Sequence, residues 1–189
     1  MLFRSAIETQ FHHLVRTVPG DGLLVVNGEE AALERVVTRG AWAPVERFGK
    51  DLRNEWSLIT EEGDDFIVRK SGKELATVKW ASDSGVMGRH NQLNALAAIA
   101  AANHIGISPE NSARALAAFK NVKRRLETIG MANGITVYDD FAHHPTAIAT
   151  TVDGLRRRVG QSRIMAVLEP RSNTMKLGVM KAQLPDSLA

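Results

Sequence analysis

The sequence predicts an α/β fold, and three stretches of the chain support this prediction. The apolar run LLVVN at 23–27 has the composition of a buried strand, and a helical segment follows it from residue 29, as in a β-α unit. Residues 55–80 contain three segments in which apolar and polar residues alternate, a pattern typical of an antiparallel meander. After residue 134, apolar and helical segments succeed one another in β-α-β-α order, which favours a parallel sheet.

Helical periodicity accounts for much of the remaining chain. Apolar residues recur at near-helical spacing over 5–17, and the Ala- and Leu-rich run from Arg89 ends at Gly106, as helices often end at glycine. A further helix is predicted to begin at Pro109, with Ser108 as its N-cap. These helices complete the α/β pattern of the first two thirds of the chain.

The sequence pattern in the last third of the chain predicts a second structural region. GITVYDD is typical of a strand, a helix is predicted from Pro145, RIMAVLE at 163–169 reads as another buried strand, and 173–184 as a helix. The polar, basic stretch NVKRRLETIG reads as a linker, so we expect two domains, 1–121 and 122–189. The second has too few strands to cover both faces of a parallel sheet, and the first begins on a helix with no preceding strand, so we expect an internal fragment of a longer protein.

Composition narrows the class of protein. The 189 residues are 44% hydrophobic, which is ordinary for a folded chain with a core. The basic residues are scattered, with Lys+Arg 24 against Asp+Glu 21, so we expect no nucleic-acid partner. The chain has no cysteine and no apolar run of about 18 residues, so we expect a cytoplasmic protein without disulfides or a membrane span.

The stretch YDDFAHHPTA concentrates side chains that carry chemistry. Asp139 and Asp140 fall at the carboxyl end of a predicted strand, where ligands bind in open α/β sheets, and His143 and His144 precede the helix at Pro145. A nucleotide or phosphate loop is one interpretation, since a carboxylate accepts from ribose hydroxyls and a helix N-terminus favours anions. A metal site and a polar turn without function are the others.

Two further motifs contain polar side chains suited to a nucleotide. In GRHNQLNALAA, Asn91 and Asn94 share one helical face beside His90, and an amide can both donate to and accept from an adenine edge. Such a pair at the start of a helix is more often a cap with a partly buried neighbour. In KRRLE, an arginine between two domains can reach a phosphate with two donors, although linker arginines are more often simply solvated. No segment matches the phosphate loop G-x-x-x-x-G-K-[ST].

Four segments in this order, GRHNQLNALAAIAAANHIGI, KRRLE, VYDDFAHHPTAI and LEPRSNTMKLG, resemble the Mur ligases, ATP-dependent amide ligases of bacterial cell-wall synthesis. The resemblance covers essentially the whole chain. It implies the C-terminal part of a P-loop-type central ATPase domain, with antiparallel strands, followed by the start of a Rossmann-like C-terminal domain. It also implies ATP and Mg²⁺ as cofactors, with most of the Mg²⁺ ligands outside these residues.

The resemblance assigns roles to single residues. It implies that His90, Asn91 and Asn94 hold adenine, that Arg125 reaches the ATP phosphates and that Asp140 binds the ribose. It places His143 in the loop facing the reacting phosphate, in a catalytic role of positioning or charge stabilisation. It further assigns the peptide carboxylates to four residues, namely Arg171, Ser172, Asn173 and Lys176.

The reaction implied is the joining of UDP-N-acetylmuramate to the tripeptide L-alanyl-γ-D-glutamyl-meso-diaminopimelate through an acyl phosphate, in peptidoglycan recycling. Addition of L-alanine to UDP-N-acetylmuramate is an alternative within the family. Two other classes stay open: a metal-dependent phosphoesterase that uses the DDxxHH loop with His12 and His13, and a non-enzymatic nucleotide-binding module. Because the phosphate loop is missing, residues 1–189 alone are expected to be inactive.

Overall fold

The computed structural model describes residues 2–61, 63–81, 84–169, 178, 181 and 183–188. The chain forms two compact units. Unit 1 comprises residues 1–79 and 93–117, and unit 2 comprises residues 80–92 and 118–189. The domain boundary expected at 121/122 stays a prediction.

Unit 1 is built on a mixed five-stranded sheet. Its elements are α1 (Leu2–Val15), β1 (Leu24–Asn27), α2 (Ala31–Thr38), β2 (Val45–Gly49), β3 (Trp56–Thr60), β4 (Phe66–Lys70), β5 (Lys73–Val78), α3 (Arg89–His104), of which the last three turns belong here, and α4 (Pro109–Ala117). The strands lie in the order β1-β2-β3-β4-β5. β1, β2 and β3 pair in parallel, whereas β3, β4 and β5 form an antiparallel meander, so the predicted β-α unit and meander are both confirmed.

The core of unit 1 is apolar and fully enclosed. Trp56 and Phe66 from the sheet have no exposed surface, and the same holds for Leu96 and Ile99 of α3. Burying large side chains of this kind stabilises a fold by about 1.5–3 kcal/mol each. The meander and α3 therefore supply most of the apolar burial in this unit.

Helix α4 begins as its sequence predicts. The Ser108 hydroxyl accepts a hydrogen bond from the Asn111 backbone N–H at 3.3 Å, and Pro109 is the first helical residue. The pKa of Glu110 in the first turn is lowered by hydrogen bonds from its own backbone N–H and from Ser108. The N-cap prediction is confirmed.

Unit 2 contains a two-stranded antiparallel sheet and one long helix. β6 (Glu127–Ala132) and β7 (Ile135–Asp139) are joined by a turn at Asn133 and Gly134, both in the left-handed region, as a two-residue hairpin requires. α5 (Pro145–Val159) follows and contacts a short 3-10 helix at Asp186–Leu188. None of the helices in the described part of the chain is long and apolar enough to cross a membrane.

Three sequence predictions for this part of the chain differ from the structure, and a fourth is not tested by it. Residues 127–130, predicted as linker, belong to β6, and the sheet of unit 2 is an antiparallel hairpin among the described residues. Residues 163–169 were predicted as a buried strand but form no regular structure, and Val167 is 90% exposed. The apolar composition suits a strand, yet a strand also needs a ladder partner. The helix predicted at 173–184 lies largely outside the described residues.

Candidate functional site

The carboxylate of Asp140 organises the loop between β7 and α5. Its Oδ2 accepts the backbone N–H of Leu126 at 2.9 Å, and its Oδ1 accepts that of Ala142 at 2.7 Å. The Thr151 hydroxyl of α5 donates to Oδ1 at 3.4 Å. A carboxylate has about four acceptor positions, so Asp140 retains capacity for one hydroxyl donor.

The basic turn, residues 124–126, has an unusual backbone. Arg124 and Leu126 have φ of 60° and 48°, a left-handed conformation that costs about 1–2 kcal/mol for a non-glycine residue. Polar contacts hold the turn in place: the Arg124 N–H donates to Glu127 Oε2 at 2.9 Å, and the Arg124 carbonyl accepts from the Phe141 N–H at 2.9 Å. The Leu126 side chain is buried and anchors the end of the turn.

The two arginines of the basic turn have different surroundings. The Arg124 guanidinium pairs with Asp139 at 3.4 Å and lies over the Phe141 ring, 4.9 Å from its centroid. The Arg125 side chain is exposed and makes no hydrogen bond or ion pair within the described residues. Arg125 is thus a cation on a fixed backbone, available to an anionic ligand.

The two histidines of the loop are also distinguished by their contacts. His143 is exposed, its Nδ1 lies 2.9 Å from the Phe141 carbonyl oxygen, and its ring meets the Phe141 ring edge-on at 5.0 Å. His144 is the N-cap of α5, because its Nδ1 accepts the Thr146 N–H at 3.3 Å. His144 is therefore used structurally, while the Nε2 edge of His143 faces away from its one backbone contact.

The two asparagines of α3 also have different surroundings. The Asn91 Nδ2 donates to the Met87 carbonyl at 2.7 Å and ties the first helical turn to the preceding loop, whereas Asn94 is exposed. His90 lies beside Gly88, which has a φ of 87°. Asn91 belongs to unit 2 and Asn94 to unit 1. Asn91 fits the cap interpretation, and the Asn94 amide has no hydrogen-bond partner among the described residues.

The structure gives no support for a metal centre at the DDxxHH loop. Within the described residues, no group of three or more histidine and acidic side chains is arranged to hold a metal ion. Asp139 is paired with Arg124, and Asp140 is bonded to backbone amides. Tetrahedral metal sites need about four converging donors, so the phosphoesterase interpretation loses its ligand set.

Four predicted contacts for the peptide substrate cannot be placed. Arg171, Ser172, Asn173 and Lys176 all lie outside the described residues. Their assignment stays a prediction.

Sequence reasoning overlooked Asn121. The Asn121 Nδ2 donates to the carbonyls of Arg125 at 2.6 Å and Gly85 at 2.9 Å, and its Oδ1 accepts the Val122 N–H at 2.9 Å. A lone asparagine in a stretch interpreted as linker gives no periodic signal. The sequence cue to its role was its proximity to Arg125, which lies four residues further along the chain.

Unit 1 has an open pocket of about 670 Å³ beside α1 and α2. Its two arginines are already engaged, because Arg35 and Arg39 both pair with Glu8, at 2.6 and 3.7 Å. Pairing raises the pKa of Arg35, through the hydrogen bond and the charge of Glu8. The pocket therefore does not offer an uncommitted cation of the kind that Arg125 presents.

Comparison with known proteins agrees with the motifs. Residues 124–186 match the family model described as the Mur ligase, glutamate ligase domain. A ligase of Haemophilus influenzae named UDP-N-acetylmuramate–L-alanyl-γ-D-glutamyl-meso-2,6-diaminoheptandioate ligase is 48% identical over 97% of this chain. The chain spans 40% of that relative's length. The crystal structure of a murein peptide ligase from Psychrobacter arcticus superposes with a TM-score of 0.68 and 43% identity, over 97% of this chain and 38% of the other.

The chain belongs to the Mur ligase family. Within that family, the two relatives just described are murein peptide ligases, and their identity exceeds that of a Clostridium acetobutylicum relative named UDP-N-acetylmuramate–L-alanine ligase. The latter is 36% identical over 92% of the chain, which spans 37% of its length. The alanine ligase alternative is thus the weaker fit.

Proposed function

We propose that this chain forms part of a cytoplasmic, ATP-dependent amide ligase that joins UDP-N-acetylmuramate to L-alanyl-γ-D-glutamyl-meso-diaminopimelate, a step of peptidoglycan recycling. The observation that carries the proposal is the similarity, over nearly the whole chain, to a relative whose name states this reaction. The exposed Arg125, on its fixed turn, carries a guanidinium group of the kind that binds ATP phosphates.

The proposed organisation follows the family. Residues 1–121 are the C-terminal portion of the central P-loop-type ATP-binding domain, and residues 122–189 are the start of the Rossmann-like C-terminal domain. Most ligands of Mg²⁺, and the phosphate loop, are then supplied by the rest of the ligase. Residues 1–189 expressed alone are expected to hydrolyse no ATP above a buffer blank.

The proposed chemistry has two steps. The muramate carboxylate attacks the γ-phosphorus of ATP, which forms an acyl phosphate and releases ADP. The tripeptide amine then attacks the acyl carbon, and phosphate leaves through a tetrahedral intermediate as the amide bond forms. Both steps build negative charge on oxygen, so fixed cations and hydrogen-bond donors accelerate them mainly by positioning and electrostatic stabilisation.

In this scheme each predicted residue contacts a different part of the substrates. Asn94 holds adenine, and the two remaining members of its motif, His90 and Asn91, support it. Asp140 accepts from the ribose with the acceptor capacity it retains, and Arg125 binds phosphate. His143 stabilises charge at the reacting phosphate. The peptide carboxylates are assigned to the four residues named above, Arg171, Ser172, Asn173 and Lys176.

Substitution of Asp140 in the full-length ligase tests the nucleotide assignment. Asp140→Ala is expected to raise the apparent KM for ATP and to change that for UDP-N-acetylmuramate little, because only the ribose contact and its loop are lost. Asp153→Ala is the matched control, since Asp153 is an exposed aspartate of the same unit paired with Arg157. An unchanged ATP dependence in Asp140→Ala would remove the ribose assignment.

The acceptor specificity is tested separately with the unmodified ligase. Amide formation is measured with L-alanine and with the tripeptide as competing amines. The murein tripeptide is expected to give the higher kcat/KM. Preference for L-alanine would show that the weaker alternative is correct.

A further inference from the structure

The side chain of Asn121 spans two segments of unit 2 that are distant in sequence. One is the strip 84–86, which precedes α3, and the other is the basic turn. Its Nδ2 donates to Gly85 and Arg125 carbonyl oxygens, so both N–H donors are used. Its backbone N–H donates to the Ser84 carbonyl at 2.9 Å. Asn121 therefore links the middle of the basic turn to the segment 84–86.

The strip that receives these bonds is itself fixed. Ser84 is buried, and its hydroxyl accepts the Val86 N–H at 3.2 Å. Val86 and the following Met87 are buried as well. The Asn121 amide is thus held against an ordered support.

The bonds to the basic turn leave the Arg125 side chain as the free part of an otherwise fixed segment. The Arg125 carbonyl accepts from Asn121, the next N–H is held by Asp140, and the flanking Arg124 is committed to Asp139. A side chain with four rotatable bonds reaches a ligand most often when its own backbone does not move.

We infer that Asn121 is a positioning residue of this ligase: it fixes the backbone from which Arg125 reaches a nucleotide phosphate. The inference rests on the proposed function and adds to it a residue that positions the phosphate-binding arginine. Asn121 touches no substrate in this scheme and acts through Arg125 alone.

Steady-state kinetics of the full-length ligase test this inference. Asn121→Asp keeps the acceptor for Val122 but replaces both donors by an oxygen that faces two carbonyl oxygens, and Asn121→Ala removes all three bonds. Misplacing a ligand group by about 1 Å can cost about 100-fold in rate, and we expect a loss of about 10-fold or more in kcat/KM for ATP in both variants. The KM for the tripeptide should change less than about 2-fold.

A double substitution separates positioning from a merely structural role. In the Arg125→Ala background, adding Asn121→Ala should lower kcat/KM for ATP by no more than about 2-fold, because the group being positioned is already absent. Independent, multiplicative losses would overturn the inference. So would an unaltered kcat/KM in Asn121→Asp while Arg125→Ala is impaired.

Two controls distinguish failure of this inference from failure of the proposed function. Asn133→Gly changes an asparagine in the β6–β7 turn, where φ is 51°, and is expected to leave the kinetics unchanged. Thermal unfolding of each variant identifies any global loss of structure, and a loss of activity explained by unfolding at the assay temperature counts against the inference. Absence of ATP-dependent ligation by the unmodified ligase would overturn the proposed function itself, and the inference with it.

Discussion

Unit 1 and unit 2 are stabilised in different ways. The sheet and α3 of unit 1 enclose large apolar side chains with no exposed surface, among them Trp56 and Ile99. Among the described residues, unit 2 has a smaller buried apolar set, which includes Leu126 and Ile148, and its loops are held by hydrogen bonds between side chains and the backbone. Apolar burial gives stability without direction, whereas such hydrogen bonds fix the position of individual groups.

Most residues of the candidate site lie in unit 2. Three of the residues proposed to contact ATP or the reacting phosphate, Arg125, Asp140 and His143, belong to unit 2, which has less apolar burial among the residues that the structure describes. Their geometry depends on specific donors and acceptors, so single polar substitutions there should disturb the site more than the fold. In unit 1, substitutions of the buried apolar side chains should disturb the fold more than the site.

The largest effect is expected in the core of unit 1. Phe66→Ala should lower the free energy of unfolding by about 3–5 kcal/mol, because it leaves a large cavity at a fully buried position. Phe119→Ala is the matched control, since Phe119 in unit 2 is 45% exposed. Urea denaturation followed by tryptophan fluorescence measures both. Equal losses would mean that the two units do not differ in this respect.

A smaller, local effect is expected at Asp140. Asp140→Ala leaves the N–H groups of Leu126 and Ala142 without their acceptor, at a cost of about 1–3 kcal/mol. Hydrogen exchange at these two amides should accelerate, while exchange in the meander of unit 1 should not change. Uniform acceleration across both units would show that Asp140 supports the global fold instead of one loop.

The hairpin turn of unit 2 should respond more weakly. Gly134 has a φ of 76°, so Gly134→Ala is expected to cost about 1 kcal/mol. Gly130→Ala is the control, because Gly130 lies in β6 without a positive φ and its Cβ would meet open space. A difference in thermal unfolding midpoint between the two variants measures the effect. A Gly134→Ala variant as stable as Gly130→Ala would contradict it.

The smallest effect is a pH dependence in unit 1. Burial raises the pKa of Glu46, but hydrogen bonds from Trp56 at 2.5 Å and from Lys70 outweigh it, so the pKa lies below 4.5. The resulting stabilisation is present above pH 4.5 and is lost as the pH falls through the lower, folded value. We expect a loss of at most about 1 kcal/mol.

Glu46→Gln tests the source of that dependence. The glutamine retains an acceptor for the Trp56 indole and cannot titrate, so the urea midpoint of this variant should vary less between about pH 6 and about pH 3 than that of the unmodified chain. An identical pH profile in both proteins would assign the dependence to other carboxylates.

Much of the fold follows from local patterns in the sequence. The meander, α3, α4 and the start of α5 at Pro145 have clear periodicity, caps or turn residues. β2 was missed because its VERFG sequence does not alternate and carries two charges. Those charges are satisfied by tertiary partners, with Arg47 pairing with Glu34 at 3.0 Å, and such partners are invisible to a local pattern.

The candidate site was predictable in composition but not in connectivity. The motifs identified Asp140, Arg125 and the asparagines, yet the sequence did not indicate that Asp140 accepts two backbone N–H groups or that Asn91 contacts Met87. The bond from Leu126 to Asp140 joins residues 14 apart in sequence, and the course of the backbone there depends on positive φ values at Arg124 and Leu126. Neither residue type signals that conformation.

The β6–β7 hairpin has a practical consequence for handling the protein. Ile129, Met131, Ile135 and Val137 are each between 48% and 73% exposed, and within the described residues β6 and β7 pair only with each other. A strand edge with apolar neighbours is a template for pairing with a second molecule. Residues 1–189 in isolation should therefore self-associate as their concentration rises, and an added charge at Ile129 should improve their solubility.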